Sequence, residues 1–299
     1  MADSRDTIYI VDASIYVFRA WFSLPDTLTG TDGTPVNAVY GFIRFVTELL
    51  EQTRPSHVFF AFDGSLTSSF RNELYADYKA NRESAPPELK KQFELCRSLI
   101  TALGMLQLAH DRFEADDLIA TVARNMRERG FKNVIVTSDK DLAQIIGTED
   151  LWWNFTKKER LSSAGVHERF GVWPHQITDY LALVGDSVDN IPGVPGVGAK
   201  SAGRLLRLYP NLDKLYDNIA QVSQLAIRGA GRIASNLKQH EEQAFLAREL
   251  AKLVTDVPLN RGISDFEITP PDNAELERLT NLIGRGDGYV ERIREVLRS

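Results

Sequence analysis

Three short apolar runs, each closed by an acidic residue, constrain this chain most. Residues 7–12 read Thr-Ile-Tyr-Ile-Val-Asp, residues 57–63 read His-Val-Phe-Phe-Ala-Phe-Asp, and residues 133–139 read Asn-Val-Ile-Val-Thr-Ser-Asp. Short runs that stay apolar rather than alternate suit strands buried on both faces. Helical patterns separate them, at 13–22, at 36–52, at 86–103 behind Pro86-Pro87, and at 114–129 before Gly130. Two further short strands are expected at 105–108 and 150–154. Strands alternating with helices predict an α/β fold with a central, mostly parallel sheet flanked by helices. In such sheets ligands bind at the C-terminal edge, which is where Asp12, Asp63 and Asp139 arrive.

From residue 174 onward the strand signal fades. Helices are expected at 174–184, 199–208, 212–218 and 230–254, followed by an irregular proline-bearing stretch at 258–273 and a last helix at 274–283. The chain therefore divides into an α/β part, residues 1–173, and a mainly helical part, residues 174–299. With 299 residues and 43% hydrophobic content there is ample material for a core. No apolar run approaches the ~20 residues needed to cross a bilayer. The polar start at residues 1–6 carries no leader signal. Cys96 is the single cysteine, so no disulfide can form within the chain; it is expected as a small buried side chain in a cytoplasmic protein.

Acids are concentrated beyond the strand ends. Glu114, Asp116 and Asp117 open one predicted helix, where ~100° per residue prevents all three from sharing a face. Asp139 and Asp141 flank Lys140, and Asp186 and Asp189 stand three apart before a glycine turn. Taken singly, each set reads equally well as first-turn acids placed by the helix dipole, or as caps. Nine carboxylates at one sheet edge, including Asp12 and Asp63, could not all ionise without counter-ions. Hard divalent cations, Mg²⁺ or Mn²⁺, match an all-oxygen set. The five histidines are scattered and suggest no zinc site. The net charge of −6 argues mildly against nucleic acid, but with these nine acids assigned to metal the rest of the chain is net basic.

Residues 185–202 read Gly-Asp-Ser-Val-Asp-Asn-Ile-Pro-Gly-Val-Pro-Gly-Val-Gly-Ala-Lys-Ser-Ala. A glycine-rich turn feeding a helix N-terminus leaves amide N–H groups free for a phosphate. Gly193, Val194, Gly196, Val197 and Gly198 supply that backbone, with Lys200 and Ser201 as added donors. A grip of this kind positions nucleic acid without reading its sequence. Upstream, Tyr75 and Tyr78 interleave with Lys79 and Arg82, a pattern suited to holding a single strand by charge and stacking, with an exposed polar helix face as the alternative. Arg232 and Lys238 form a weaker basic segment, open between a second duplex contact and an ordinary loop.

Together Val11-Asp12, Phe62-Asp63, Phe70-Arg71, Tyr78-Lys79-Ala80-Asn81-Arg82, Glu114-Ala115-Asp116-Asp117, Ser138-Asp139-Lys140-Asp141-Leu142 and the 185–198 stretch resemble the 5′-3′ exonuclease and flap endonuclease family. The likeness is to the 5′-nuclease domain at the N-terminus of bacterial DNA polymerase I, over roughly residues 7–260, with 250–256 also similar. The resemblance implies a PIN-like core, a helical arch over about 71–100, and a helix–hairpin–helix (H3TH) motif at 185–206. It implies hydrolysis of DNA near 5′ ends and at 5′ flaps with two metals. Asp12, Asp63, Glu114 and Asp116 would lean toward one metal and Asp139, Asp141 and Asp186 toward the other, with Asp116 bridging and Asp117 and Asp189 acting through water or in support. Lys79 would touch the scissile phosphate, with Arg82, Arg71 and Tyr78 beside it, and hairpin carbonyls would hold K⁺. With no polymerase segment following, a free-standing, monomeric nuclease is expected, acting on DNA and on RNA strands in RNA/DNA hybrids, with no membrane partner. The alternative is a DNA-structure-binding protein on the same fold without catalysis, which predicts eroded acids.

Overall fold

In the computed structural model, which describes residues 6–65, 69–284 and 287–298, the apolar runs form the centre of one sheet. The chain start at residues 1–5 lies outside the described residues. Strands β1 (Thr7–Asp12), β2 (His57–Ala61), β3 (Leu106–Leu108), β4 (Lys132–Val136), β5 (Leu151–Asn154) and β6 (Glu159–Leu161) lie in the order β3-β2-β1-β4-β5-β6. β1 to β5 pair in parallel, and β6 runs antiparallel to β5 at the edge. This closing strand is additional to those expected from sequence, since its Glu-Arg-Leu carries no apolar run.

Alternate residues of each strand enter different cores, as the pleat requires. Ile8, Ile10, Phe59, Ala61 and Ile135 face α5 (Ala115–Glu128). Val11, Val58, Phe60, Val134 and Val136 face the layer of α1 (Ala13–Ser23), α2 (Asn37–Thr53) and α4 (Pro87–Ala102). Leu89, Phe93, Cys96 and Leu99 of α4 are buried in that layer. The stretch expected as an arch over 71–100 is thus a docked turn, with α3 (Arg71–Leu74), followed by a packed helix. Apolar residues on one face of α4 win it to the core.

After α6 (Ser163–Phe170) the chain is helical, with α7 (Ile177–Val184), α8 (Ala199–Leu208), α9 (Leu212–Asp217), α10 (Ile219–Val222), α11 (Ala230–Gln239) and α12 (Glu241–Ala251). Leu181, Leu205, Leu215, Leu237 and Ala247 continue the core of the α5 face. The single helix expected over 230–254 breaks at His240 and ends at Ala251. Two helices close the chain rather than one, α13 (Asn273–Ile283) and α14 (Asp287–Arg298). Both return to the opposite layer, where Leu276, Leu279, Ile283, Val290 and Ile293 pack with α2 and α4. Among the described residues no helix is long and apolar enough to cross a membrane.

Candidate active site

The C-terminal edge of the sheet gathers the strand-closing acids. Asp12 ends β1 and caps α1, its Oδ1 accepting from the Ile15 amide (3.4 Å) and its Oδ2 from the Thr137 hydroxyl (2.8 Å). Asp63, just past β2, accepts from the Ala115 amide at the start of α5 (3.0 Å), and its own amide donates to Ser14 Oγ (3.0 Å). Asp139, just past β4, accepts from the Asp141 amide (2.8 Å). Asp12, Asp63, Glu114, Asp116, Asp139 and Asp189 all line one cleft of about 630 Å³. Asp141 and Asp186 do not line this cleft, but the charges of Asp139 and Asp186 act on Asp141 and that of Asp186 acts on Asp139.

The acids crowd one another. Burial first, then the charges of Asp63 and Asp139, push the Asp12 carboxyl up to about 7 against the Thr137 hydrogen bond. Burial with Asp139 and Asp186 pushes Asp141 up to about 8. Asp116 and Asp139 are raised as well, again chiefly by burial. Asp141 Oδ1 is buried and has no hydrogen-bond partner among the described residues. An all-oxygen set with unneutralised charge and an orphaned oxygen fits hard divalent cations. Among the described residues no three carboxylates are yet drawn into a closed ligand set. Three of the acids are instead paired with cations: Lys79 Nζ on Glu114 (2.5 Å), Arg82 on Asp189 (2.6 Å) and Lys140 Nζ on Asp186 (2.7 Å). Burial opposes ionisation of Asp186, yet Lys140 and the amides of Val188 and Asp189 outweigh it and hold that carboxyl low.

Carboxyls raised in this way bind protons more tightly when folded than when unfolded. Their contribution to stability is full below the ordinary carboxylate range, about 4, and is lost as pH rises through their folded values. The metal-free thermal midpoint is therefore expected to fall between pH 5 and pH 9, through the range set by Asp12 and Asp141. Divalent cation should restore it, and by more at pH 8.5 than at pH 6. A flat metal-free profile in differential scanning fluorimetry would mean that these acids are not crowded.

Two expected contact residues are buried instead. Arg71 is 1% exposed. Its five N–H donors go to the Leu250 and Lys252 carbonyls, to Glu114 and twice to Asp117, at 2.8–3.1 Å. None remains for a phosphate. Tyr78 is 3% exposed, its hydroxyl donor placed between Glu114 (2.9 Å) and Asp189 (3.1 Å), so its ring cannot stack on a strand. Asp117 is fully buried, turned from the cleft by the helical rotation that separates it from Asp116, and it accepts from Arg71 and from the Glu114 and Val254 amides. It is a partner of Arg71 and does not line the cleft.

Three features of the site lie outside the residues predicted from sequence. Lys140 neutralises Asp186; its place between two acids was the available signal. Thr137 ties Asp12 to Asp139 through its hydroxyl. The cleft also has an apolar wall of Ile15, Phe18, Trp21, Phe22 and Val188, with Phe22 80% and Val188 62% exposed. Residues of α1 at helical spacing gave no sign in the sequence that one face would meet the acids.

The hairpin grows from the loop that carries Asp186 and Asp189. Gly185 has φ +74°, and a Cβ on Gly193 would overlap the Gly185 nitrogen and the Val184 carbonyl. Only glycines allow that stem to close. Val194 and Val197 point inward and are buried, so they anchor the turn, while Gly196, Gly198 and Lys200 are exposed at the start of α8. The Gly193 and Pro195 carbonyls accept from Gln243 and Asn236 (2.6 Å each).

This geometry has relatives. Residues 7–171 match the model of the 5′-3′ exonuclease N-terminal resolvase-like domain, and residues 172–274 that of the 5′-3′ exonuclease C-terminal SAM fold. The chain belongs to the 5′-3′ exonuclease family. It is 36% identical over 272 residues to the 5′-3′ exonuclease of Aquifex aeolicus, covering 91% of this chain and 90% of the relative. To DNA polymerase I of Pseudomonas aeruginosa it is 42% identical over 274 residues, 91% of this chain but 30% of that protein. The chain thus spans about a third of the length of the polymerase relatives it matches. In fold it resembles T5 5′-exonuclease, solved with zinc bound, at TM-score 0.67 and 20% identity over 98% of both chains. The catalytic core of Rad2, solved with a DNA substrate, has TM-score 0.65 and 16% identity, covering 98% of this chain and 92% of that one.

Proposed function

We propose that this chain is a divalent-metal-dependent 5′ nuclease that hydrolyses DNA phosphodiesters at 5′ ends and at flap junctions. The observation that carries the proposal is the single cleft in which Asp12, Asp63, Glu114, Asp116 and Asp139 meet beside Lys79. Family membership and the metal- and DNA-bound relatives support it. Asp12, Asp63, Glu114 and Asp116 would hold one metal, and Asp139, Asp141 and Asp186 the other. Asp139 is the group common to both sets of interacting charges. Bound there, Mg²⁺ or Mn²⁺ supplies an activated water and stabilises charge on the leaving oxygen. Lys79, released from Glu114 by metal, would meet the scissile phosphate, with Arg82 beside it. Asp189 orients both cations through contacts of 3.6 Å and 2.6 Å.

The Phe18, Trp21 and Phe22 wall gives bases a surface on which any sequence can stack. The amides of Gly196 and Gly198, with Lys200 and Ser201, would seat a duplex backbone. A K⁺ at the hairpin would share carbonyls with the Gln243 and Asn236 amides. On this reading residues 1–173, with Asp186 and Asp189, carry the chemistry and 193–201 of the 185–206 motif the grip, the protein acts as a monomer, and RNA/DNA hybrids are admitted beside DNA.

The test incubates a 5′-labelled flap duplex and its matched single strand with and without Mg²⁺. Metal-dependent release of short 5′ fragments near the junction is expected. Lys79→Ala should slow single-turnover cleavage by ~10²-fold, the scale for one lost charge-stabilising donor, with duplex Kd unchanged. Binding without cleavage in any divalent metal would leave a DNA-structure-binding protein and sink the nuclease reading.

A further inference from the structure

The turn 77–82, which carries Lys79 and Arg82, is laced to the loop 186–191 by contacts that metal binding does not require. The Lys79 amide donates to the Asp189 carbonyl (2.9 Å). Asn81 Nδ2 donates to the Ser187 carbonyl (2.8 Å), and Asn190 Nδ2 donates back to the Asp77 carbonyl (2.6 Å). Lys79 and Asn190 both have φ +55°, a left-handed conformation uncommon away from glycine. Each segment is thus held in a shape that the other enforces. On its far side the loop is closed by mutual Asp186–Ile191 backbone bonds (2.9 and 2.7 Å). It continues through the Gly185–Gly193 stem into the hairpin. Hairpin, loop and Lys79 turn therefore form one backbone-bonded unit, although more than 100 residues of sequence separate its ends.

We propose that Asn81 and Asn190 are positioning residues, a clasp through which seating of duplex on the hairpin fixes where Lys79 stands in the cleft. The inference rests on the nuclease reading above and on Lys79 acting at the phosphate. Its physical ground is the length of the lysine side chain. A flexible stem delivers its ammonium reliably only if the backbone at its root is fixed, and a misplacement of about 1 Å can cost ~10²-fold in rate. The clasp amides make none of the hairpin's own hydrogen bonds, so their removal leaves the duplex grip intact.

Asn190→Gly deletes the amide while tolerating φ +55°, and Asn81→Ala deletes the other at an exposed side chain with no backbone change. Each is expected to slow single-turnover cleavage of a 5′-flap duplex by ~10-fold or more, within the range for a misplaced group, with metal-free duplex Kd unchanged. Lys79→Ala, costing ~10²-fold alone, should cost ~10-fold or less in either background, because a misplaced lysine has less left to lose. An equal Lys79→Ala cost in all backgrounds would overturn the clasp, as would rate and Kd falling together. If Asn190→Gly fails to fold, Asn81→Ala decides alone. A wild-type protein without metal-dependent cleavage would overturn the nuclease reading itself, whereas active wild type with an additive cycle removes only the clasp.

Discussion

Asp116→Asn is expected to slow metal-dependent cleavage of a 5′-flap duplex by ~10³-fold, the upper end of what one lost charge-stabilising group costs, while making the metal-free protein more stable. The two effects have one cause. The Asp116 carboxyl is held well above the ordinary range by burial, by Asp139 and by Asp12. Asparagine keeps its shape and removes the charge that the fold must crowd against its neighbours. The metal-free thermal midpoint should therefore rise at pH 8, where the crowding is greatest, and rise less at pH 5. Divalent metal would reverse this in the wild type by neutralising the cluster, so Mg²⁺ should lift the wild-type midpoint far more than that of the variant. Cleavage within a few-fold of wild type would remove Asp116 from the site. A lower metal-free midpoint would show that its charge is already compensated.

Much of this was legible because it is local. Asp12, Asp63 and Asp139 each follow an apolar run, and an acid at the end of a parallel strand has one edge to occupy. The separation of Asp116 from Asp117 follows from helical rotation alone. What could not be read was decided by distant partners. Nothing in Phe70-Arg71 says that its guanidinium will meet the carbonyls of Leu250 and Lys252, about 180 residues away. Tyr78 looks like a stacking residue until Asp189 arrives to take its hydroxyl. The packing of α4, within the stretch expected as an arch, was hidden for the same reason: its amphipathic face finds α2 on one side and, from the far end of the chain, α13. A helical pattern announces that a face will be buried but not against what.

The second large effect belongs to that hidden partnership. Asp117→Ala is expected to destabilise the protein by about 3–5 kcal/mol, the usual cost of leaving a buried charge without its partner. The thermal midpoint should fall by roughly 10 °C. Both carboxylate oxygens of Asp117 are saturated, by Arg71 Nη1 and Nη2 (2.8 Å each), the Glu114 amide (3.1 Å) and the Val254 amide (2.9 Å). Arg71 in turn holds the end of α12 and Glu114. The pair thus pins three pieces of chain behind the cleft. Arg71→Ala should cost as much as Asp117→Ala, and the double variant clearly less than their sum, since each single change strands the other charge. Arg71→Lys should not rescue, because one ammonium with three donors cannot replace a planar fork that uses five. Were Arg71 a phosphate contact instead, Arg71→Ala would slow cleavage and leave the midpoint where it was, and lysine would restore part of the rate.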